Sequence, residues 1–298
     1  MTPEPAAAAP VLGLVASERA ADQPLARAAA GQRTLPVRQI SRDTPVADDV
    51  AGLVVAAPLD ERAALLAHLA RTWRVPLLVE APVAAAAAQA QPLLDLADVD
   101  RIVAANPLRY GLHTARLVQQ VGHDDDPLHT VFAAWRFRAP AVPEHALPQL
   151  LDLLGALGPG ALWRISALER SEPAVLVATL RYASGVIGSL EVGSHLPDGF
   201  PLAAELVVEC SCAERTYHCA PSAQAVSLYG PESTRTEWQP EPAEATVRAF
   251  IDWLLGGPRP VGHLRADLAA VADSQWLQEA AQTGAVLTRA AEPAPGPS

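Results

Sequence analysis

The 298-residue chain contains no lysine: all 22 of its basic side chains are arginine. A lysine ammonium can lower its pKa and move a proton near neutrality, whereas a guanidinium stays protonated in a protein. Lysine-dependent proton transfer and Schiff-base chemistry are therefore excluded at every position. Positive charge is scarce altogether. Against 33 acidic groups it leaves a formal charge of −11, a field that repels a nucleic-acid backbone or an anionic membrane surface. Long apolar runs are also missing, since no window approaches the roughly 18 uninterrupted apolar residues of a membrane helix. The first ten residues hold an alanine run without a positive segment and do not read as a signal peptide. The expectation is a soluble, cytoplasmic protein with no nucleic-acid or membrane partner.

Cysteine is nearly absent. Cys210, Cys212 and Cys219 are the only three, and they stand close together beside His218. A strand pair over 205–212 and 216–219, turning at Ala213-Glu214-Arg215, would bring some of these sulfurs together. A metal site is one reading, but paired Cys-x-x-Cys knuckles are missing. Hairpin thiols in a reducing compartment are the other, and the odd count speaks against a complete disulfide set.

What is present has a clear order. Val11–Ala16 is an apolar run followed by a helical stretch to about Ala30, and 36–41 is the next strand. Leu53-Val54-Val55-Ala56-Ala57 is a buried strand, then Pro58, with Asp60 placed to cap a helix whose Ala64, Leu65, Leu69 and Ala70 recur at helical spacing. A strand over 75–79, a helix over 84–97 and a strand over 101–105 complete the alternation. Continuous apolar strands between helices imply a parallel sheet covered on both faces. After Gly122 the period changes to two: His129, Val131, Ala133, Trp135 and Phe137 alternate, as in a sheet with one buried face. Further strands are expected over 161–168, 174–182, 186–195, 204–212, 224–229 and 234–238. Ala183-Ser184-Gly185 fits a hairpin turn between two of them. Helices are expected over 147–157, 243–255 and 265–282. The fold class is thus α/β: a truncated Rossmann-like parallel-sheet domain over 8–122, then an α+β domain with a large, mostly antiparallel open sheet over 123–289. Residues 290–298, with three prolines, are expected to be a disordered tail.

This order resembles the glucose-fructose oxidoreductase and inositol dehydrogenase family, Gfo/Idh/MocA, over roughly residues 11–288. Val54-Val55-Ala56-Ala57-Pro58 resembles the family strand that ends in a proline beside the nicotinamide, and Glu80-Ala81-Pro82 its Glu-Lys-Pro signature. Ala105-Asn106-Pro107-Leu108-Arg109-Tyr110 resembles the strand whose arginine enters the substrate side. Leu180–Glu191, Gly256-Gly257-Pro258-Arg259-Pro260 and Asp273-Ser274 match later landmarks. The resemblance implies an NAD(P)-dependent oxidoreductase whose members commonly associate through the open face of the antiparallel sheet.

The departures gather where the chemistry should be. The family's glycine-rich turn, which lets pyrophosphate reach backbone amides, aligns with Gly13-Leu14-Val15-Ala16-Ser17-Glu18-Arg19. Only Gly13 remains, and Glu18 brings negative charge toward phosphates. The acidic residue for the ribose hydroxyls corresponds to Ser41, followed by Arg42. That pair suits a 2′-phosphate, and so NADP, or is a polar turn. Only 41–51 separate two strands where the family places two helices and a short strand, so the adenine-side wall is expected to be missing. The catalytic lysine corresponds to Ala81, and the histidine near the proline corresponds to Arg62. The family's acid-base helix motif is approached by Gln149-Leu150-Leu151-Asp152, and glutamine exchanges no proton near pH 7.

The catalytic candidates are Asp152, His145, Glu80 and Arg109, and the candidates for cofactor contact are Ser41, Arg42, Pro58 and Glu80. Asp152 is either a functional carboxylate or a solvated helix acid. His145 would replace the lost base if its helix began early, against Pro148, which belongs in a first turn. Arg109 binds an anionic or hydroxylated ligand, or pairs with Glu80 or another acid. Glu80 alternatively caps the next element, and His195 and His218 fit surface positions. The preferred expectation is a degenerate member that has lost dinucleotide and catalytic lysine. No cofactor is then expected, and the chain acts as a binding or assembly subunit, homo- or hetero-oligomeric, beside a catalytic paralogue. The alternative is an active NAD(P)-dependent oxidoreductase on a sugar-like or polyol substrate. A third reading is cofactor-independent acid-base chemistry by Asp152, His145 and Arg109. Whether the chain is an enzyme stays open at this point.

Overall fold

The structure, a computed structural model, describes residues 9–43, 47–96, 98–123, 126–220, 225–229 and 241–289. The expected strand over 234–238 and the tail over 290–298 lie outside these residues. Two compact units are present. One comprises the chain up to Pro107 with Glu241–Leu268; the other comprises Leu108–Pro240 with the residues from Ala269 onward. This division differs from a single cut after residue 122, because 241–268 returns to the first unit. Gly52 explains the return in part: a Cβ there would lie 2.8 Å from Leu254 Cδ1 and 3.1 Å from Phe250 Cζ, so only glycine admits these side chains.

The first unit begins with β1 (Val11–Ala16), α1 (Pro24–Gly31), β2 (Val37–Gln39), β3 (Val50–Ala56), α2 (Leu59–Thr72), β4 (Leu77–Glu80), α3 (Ala87–Leu94) and β5 (Ile102–Ala105). The strands form one parallel sheet in the order β2-β1-β3-β4-β5. The link from β2 to β3 contains no helix among its described residues. Leu53, Leu66, Leu69, Trp73, Leu77 and Ile102 are fully buried in one apolar cluster, as strands covered on both faces require. One local expectation is corrected here. The N-cap of α2 is Pro58 rather than Asp60, and it makes no side-chain cap bond. The fixed φ of proline sets the chain for the helix, and Asp60 and Glu61 fall in the first turn, where the helix dipole favours acids.

The second unit opens with α4 (Pro107–Tyr110, from Leu108), α5 (Leu112–His123), β6 (Leu128–Phe137), α6 (Ala146–Ala156), β7 (Leu162–Ser171), β8 (Ala174–Tyr182), β9 (Ile187–Gly193), β10 (Ala204–Cys212), β11 (Thr216–Ala220) and β12 (Ala225–Tyr229). Then α7 (Pro242–Leu254) belongs to the first unit, α8 (Leu264–Thr283) is divided after Leu268, and β13 (Leu287–Thr288) closes the second. The sheet order is β12-β11-β10-β6-β9-β8-β7-β13. Only the β6–β9 pair is parallel. Gly185, at φ +92°, makes the expected turn between β8 and β9. Val131, Ala133, Phe137, Leu190 and Val192 all face the unit's own core, with Trp135 half-buried against Phe137 at 4.9 Å.

Cys210 and Cys212 point to the same buried face of β10, and Cys219 sits across from Val208 on β11. All three are free thiols, and among the described residues no group of three or more His, Cys, Asp or Glu is placed to hold a metal. Burial pushes the Cys210 and Cys219 thiols up to about 12, so little thiolate forms at pH 8. Ellman's reagent at pH 8 is therefore expected to leave these cysteines essentially unreacted in the native protein and to titrate all three after denaturation. Fast reaction of the native protein would contradict this packing.

Candidate functional site

In parallel α/β sheets ligands bind beyond the carboxyl ends of the strands, so the site is built from there. After β1 the chain makes a 3-10 turn over Glu18–Ala20, and α1 starts only at Pro24. Three of the loop amides are used within the unit: Ser17 N–H donates to Ala56 O, Ala20 N–H to Ser17 O, and Gln23 N–H to Ala20 O. Pro24 adds no donor at the first helical position. Gly13 lies inside β1, where a Cβ would sit 2.4 Å from Leu53 Cδ2 and 2.6 Å from Ile40 Cδ1. Its lack of a side chain serves packing and not a phosphate. Arg19 Nη1 meets Asp60 Oδ2 at 3.3 Å and Glu61 Oε1 at 2.7 Å.

A cavity of about 1060 Å³ lies over the ends of β1 and β2 and along α2. Ser41 and Arg42, both expected at a cofactor site, line it. Four carboxylates, from Glu18, Asp43, Asp60 and Glu61, line it as well. Arg42 Nε lies 3.6 Å from Asp43 Oδ2, which leaves the rim acidic.

At the ends of β3 and β4, Arg62 is buried and its guanidinium forms a hub. Nε and Nη2 donate to Ala57 O at 3.1 and 3.0 Å, and Nη1 donates to Glu80 O at 3.0 Å and Pro82 O at 2.7 Å. The contact to Glu80 Oε2 is longer, 3.4 Å. Burial lowers the Arg62 pKa and raises that of Glu80, and their mutual attraction opposes each shift only in part. By geometry the carbonyls hold the guanidinium more closely, with contacts of 2.7–3.1 Å against 3.4 Å to the carboxylate. Glu80 does not cap the next element; it faces Arg62 and a small cavity of about 170 Å³ lined by Leu25, Ala105 and Thr246. Ala81, at the lysine position, is buried. Val83 N–H donates to Asp267 Oδ2 at 2.8 Å.

In the second unit Arg109, on α4, reaches Asp152 on α6, with Nη1 3.4 Å from Oδ1 and side-chain exposures of 15% and 6%. The expected pairing is with Glu80 or another acid, and the partner is another acid, Asp152. It is a buried acid rather than a solvated one, with Gln149 buried one turn before it. His145 is the exposed N-cap residue of α6, edge-on to Trp135 at 6.3 Å, and Pro148 fits within the first turn. His218 pairs with Glu209 at 2.8 Å and His195 with Glu191 at 3.0 Å. Arg136 bridges Glu191 at 2.7 Å and Glu205 at 3.0 Å across neighbouring strands, which holds the Glu191 carboxyl below its usual range.

One polar residue had no sequence signal. His113, on α5, is fully buried and neither ring nitrogen has a partner. Burial, then the nearby Arg116, lowers its pKa. A single histidine in a helical pattern carries no mark of such a position.

No protein-family model matches the chain, and no curated protein matches it by sequence. Solved structures do match in fold. GenD2 from gentamicin A biosynthesis, in complex with NAD, superposes with a TM-score of 0.75 at 17% identity, covering 95% of this chain and 97% of GenD2. A myo-inositol dehydrogenase from Corynebacterium glutamicum gives 0.73 at 16% identity, covering 95% and 100%. An oxidoreductase from Agrobacterium radiobacter, solved with NAD+, L-tartaric acid and magnesium, gives 0.73 at 12% identity, covering 93% and 98%. At such identities the likeness speaks for architecture alone. The five-stranded parallel sheet, followed by the large mixed sheet, is the fold of the Gfo/Idh/MocA-type oxidoreductases.

Proposed function

We propose that this chain keeps the oxidoreductase scaffold without its dinucleotide chemistry and serves as a binding or assembly subunit. The β1–α1 turn carries the reading. A pyrophosphate needs free amides at a helix N-terminus and close backbone approach. Here the Ser17, Ala20 and Gln23 amides are bonded within the unit, and the neighbouring cavity wall is acidic. Proton exchange with a substrate hydroxyl is disfavoured as well: position 81 is alanine, position 149 is glutamine, and Asp152 is tied to Arg109.

Assembly through the open face of the eight-stranded sheet is part of the proposal. On that face Leu168 and Val177 are cross-strand partners, 71% and 46% exposed, and Ile187 is 41% exposed. The Arg136 bridge supplies a polar centre. A partner covering these side chains would remove apolar surface from water. The second reading, an active NAD(P)-dependent oxidoreductase on a sugar-like or polyol substrate, draws support from the cavity lined by Ser41 and Arg42 and from neighbours solved with NAD.

Titration with NADH and NADPH, followed by nicotinamide fluorescence, separates the two. The expected result is no saturable binding up to millimolar cofactor, and binding in the micromolar range would overturn the proposal. Light scattering after size exclusion is expected to show a dimer or larger, alone or with a co-expressed oxidoreductase chain.

A further inference from the structure

Resting on the assembly role proposed for the open sheet face, we infer that its partner is a second copy of this chain, related by a twofold axis that runs along the strands. An arginine pair carries the inference. Arg164 on β7 and Arg181 on β8 stand directly opposite each other in the antiparallel ladder, and both are exposed. Like charges in that position destabilise a sheet. Among the described residues neither guanidinium meets a carboxylate, so the chain itself supplies no counter-charge.

The other flank of the same face is acidic. Arg136 is shared between the carboxylates of Glu191 and Glu205, and Glu209, on β10, pairs with His218 while its side chain stays 48% exposed. One row of the ladder crosses the face through Arg164, Arg181, Ile187, Thr130, Ser211 and Thr216. Glu209 lies two residues from Ser211 on the same side of β10, about 7 Å along the strand. A twofold axis can lie in this face in two ways. Set across the strands, it brings β7 and β8 against their own copies and gathers all the unpaired arginines in one seam. Set along the strands, between β6 and β9, it lays β8 over the partner's β10 and β7 over its β11. Arg181 then meets the partner's row at Ser211, with Glu209 within reach of an extended guanidinium, and symmetry makes the contact twice. Opposite charges on facing flanks fix the orientation of a complex in this way. The middle of the face supplies apolar surface: Val177 and Ile187 are 46% and 41% exposed, and Phe132 and Val207 are half-buried. Strands β6 to β11, about 4.8 Å apart over about seven residues, present about 660 Å². Two such faces bury about 1,300 Å², inside the roughly 1,200–2,000 Å² of stable complexes.

Analytical ultracentrifugation of the full chain tests this. The expected result is a dimer of this chain alone, with a Kd in the micromolar range or below. Arg164→Glu with Arg181→Glu should weaken the dimer by at least about tenfold, and Glu209→Arg should do the same. Mixing these two variants should restore association, because each of the two contacts then joins glutamate to arginine again. Arg27→Glu with Arg33→Glu, an equal charge change at exposed positions of the first unit, should leave the dimer unchanged. Salt gives a check that needs no variant: raising it from about 0.05 to about 0.5 M should weaken the wild-type dimer several-fold. A monomer at about 100 μM protein, a dimer insensitive to salt and to both charge reversals, or variants that stay apart on mixing would overturn the inference. Association only with a co-expressed oxidoreductase chain also overturns it and leaves the proposed function standing. Micromolar NADH binding overturns the proposed function instead and leaves the dimer in place.

Discussion

Replacing Arg62 by methionine is expected to cost about 3–5 kcal/mol, the usual loss when one partner of a buried charged contact is removed. The loss comes from what would be left behind. Ala57 O, Glu80 O and Pro82 O lose their donor, and the Glu80 carboxyl faces a cavity wall with no cation nearby. Each buried acceptor without a donor costs about 1–3 kcal/mol, so the three carbonyls alone reach the predicted range. The 3.4 Å contact to Glu80 contributes the smaller share, because burial works against both charged forms. Lysine at position 62 should rescue only part of the loss, since a point charge cannot span carbonyls on two strand ends as a planar fork does. Guanidinium chloride unfolding is the measurement. A loss under about 1 kcal/mol, within the range of ordinary surface changes, would mean the hub does not hold the strand ends. Glu80→Gln separates the two contributions: it removes the charge and leaves the carbonyl bonds, and should cost clearly less than Arg62→Met.

Ala81→Lys, which restores the residue the family signature carries, is expected to destabilise the chain by at least about 3 kcal/mol and to produce no dehydrogenase turnover. Ala81 is buried, so a lysine side chain there must push packed neighbours aside. The new ammonium would also enter beside a cation already in place, because Arg62 Nη1 holds the carbonyls of Glu80 and Pro82 on either side. Like charges at that range, poorly solvated, repel. Unfolding midpoints, together with NADH production from a panel of polyols, make the check. A stable variant that oxidises a polyol would show that one missing lysine was the whole defect. That outcome would count against a scaffold role.

Both outcomes turn on side chains whose meaning in the sequence was only partial. Arg62 aligns with a family histidine, which reads as a lost catalytic group. In the structure it has a task of its own, gathering carbonyls from positions 57, 80 and 82. Arg109 was legible as a landmark with an acidic partner somewhere; choosing Asp152, 43 residues away, needed α4 and α6 in place. Trp135 and Phe137 alternate in a way that marks one face, and the core of the second unit decides which face is covered. His113 gave no warning at all.

The sequence by itself determined most of the succession of elements (though not the helix α5), the change from helix-and-strand alternation to largely antiparallel strands, the turn at Gly185 and the absence of a lysine catalyst. These depend on near neighbours: periodicity, turn residues and composition act over a few positions. Only the tertiary structure decided that 241–268 belongs with the parallel sheet, that Gly13 serves packing, that the three cysteines are buried, and that four carboxylates share one cavity. Those facts depend on which strand ends the crossovers bring together, and hydrogen bonds and charges meet there irrespective of their distance along the chain.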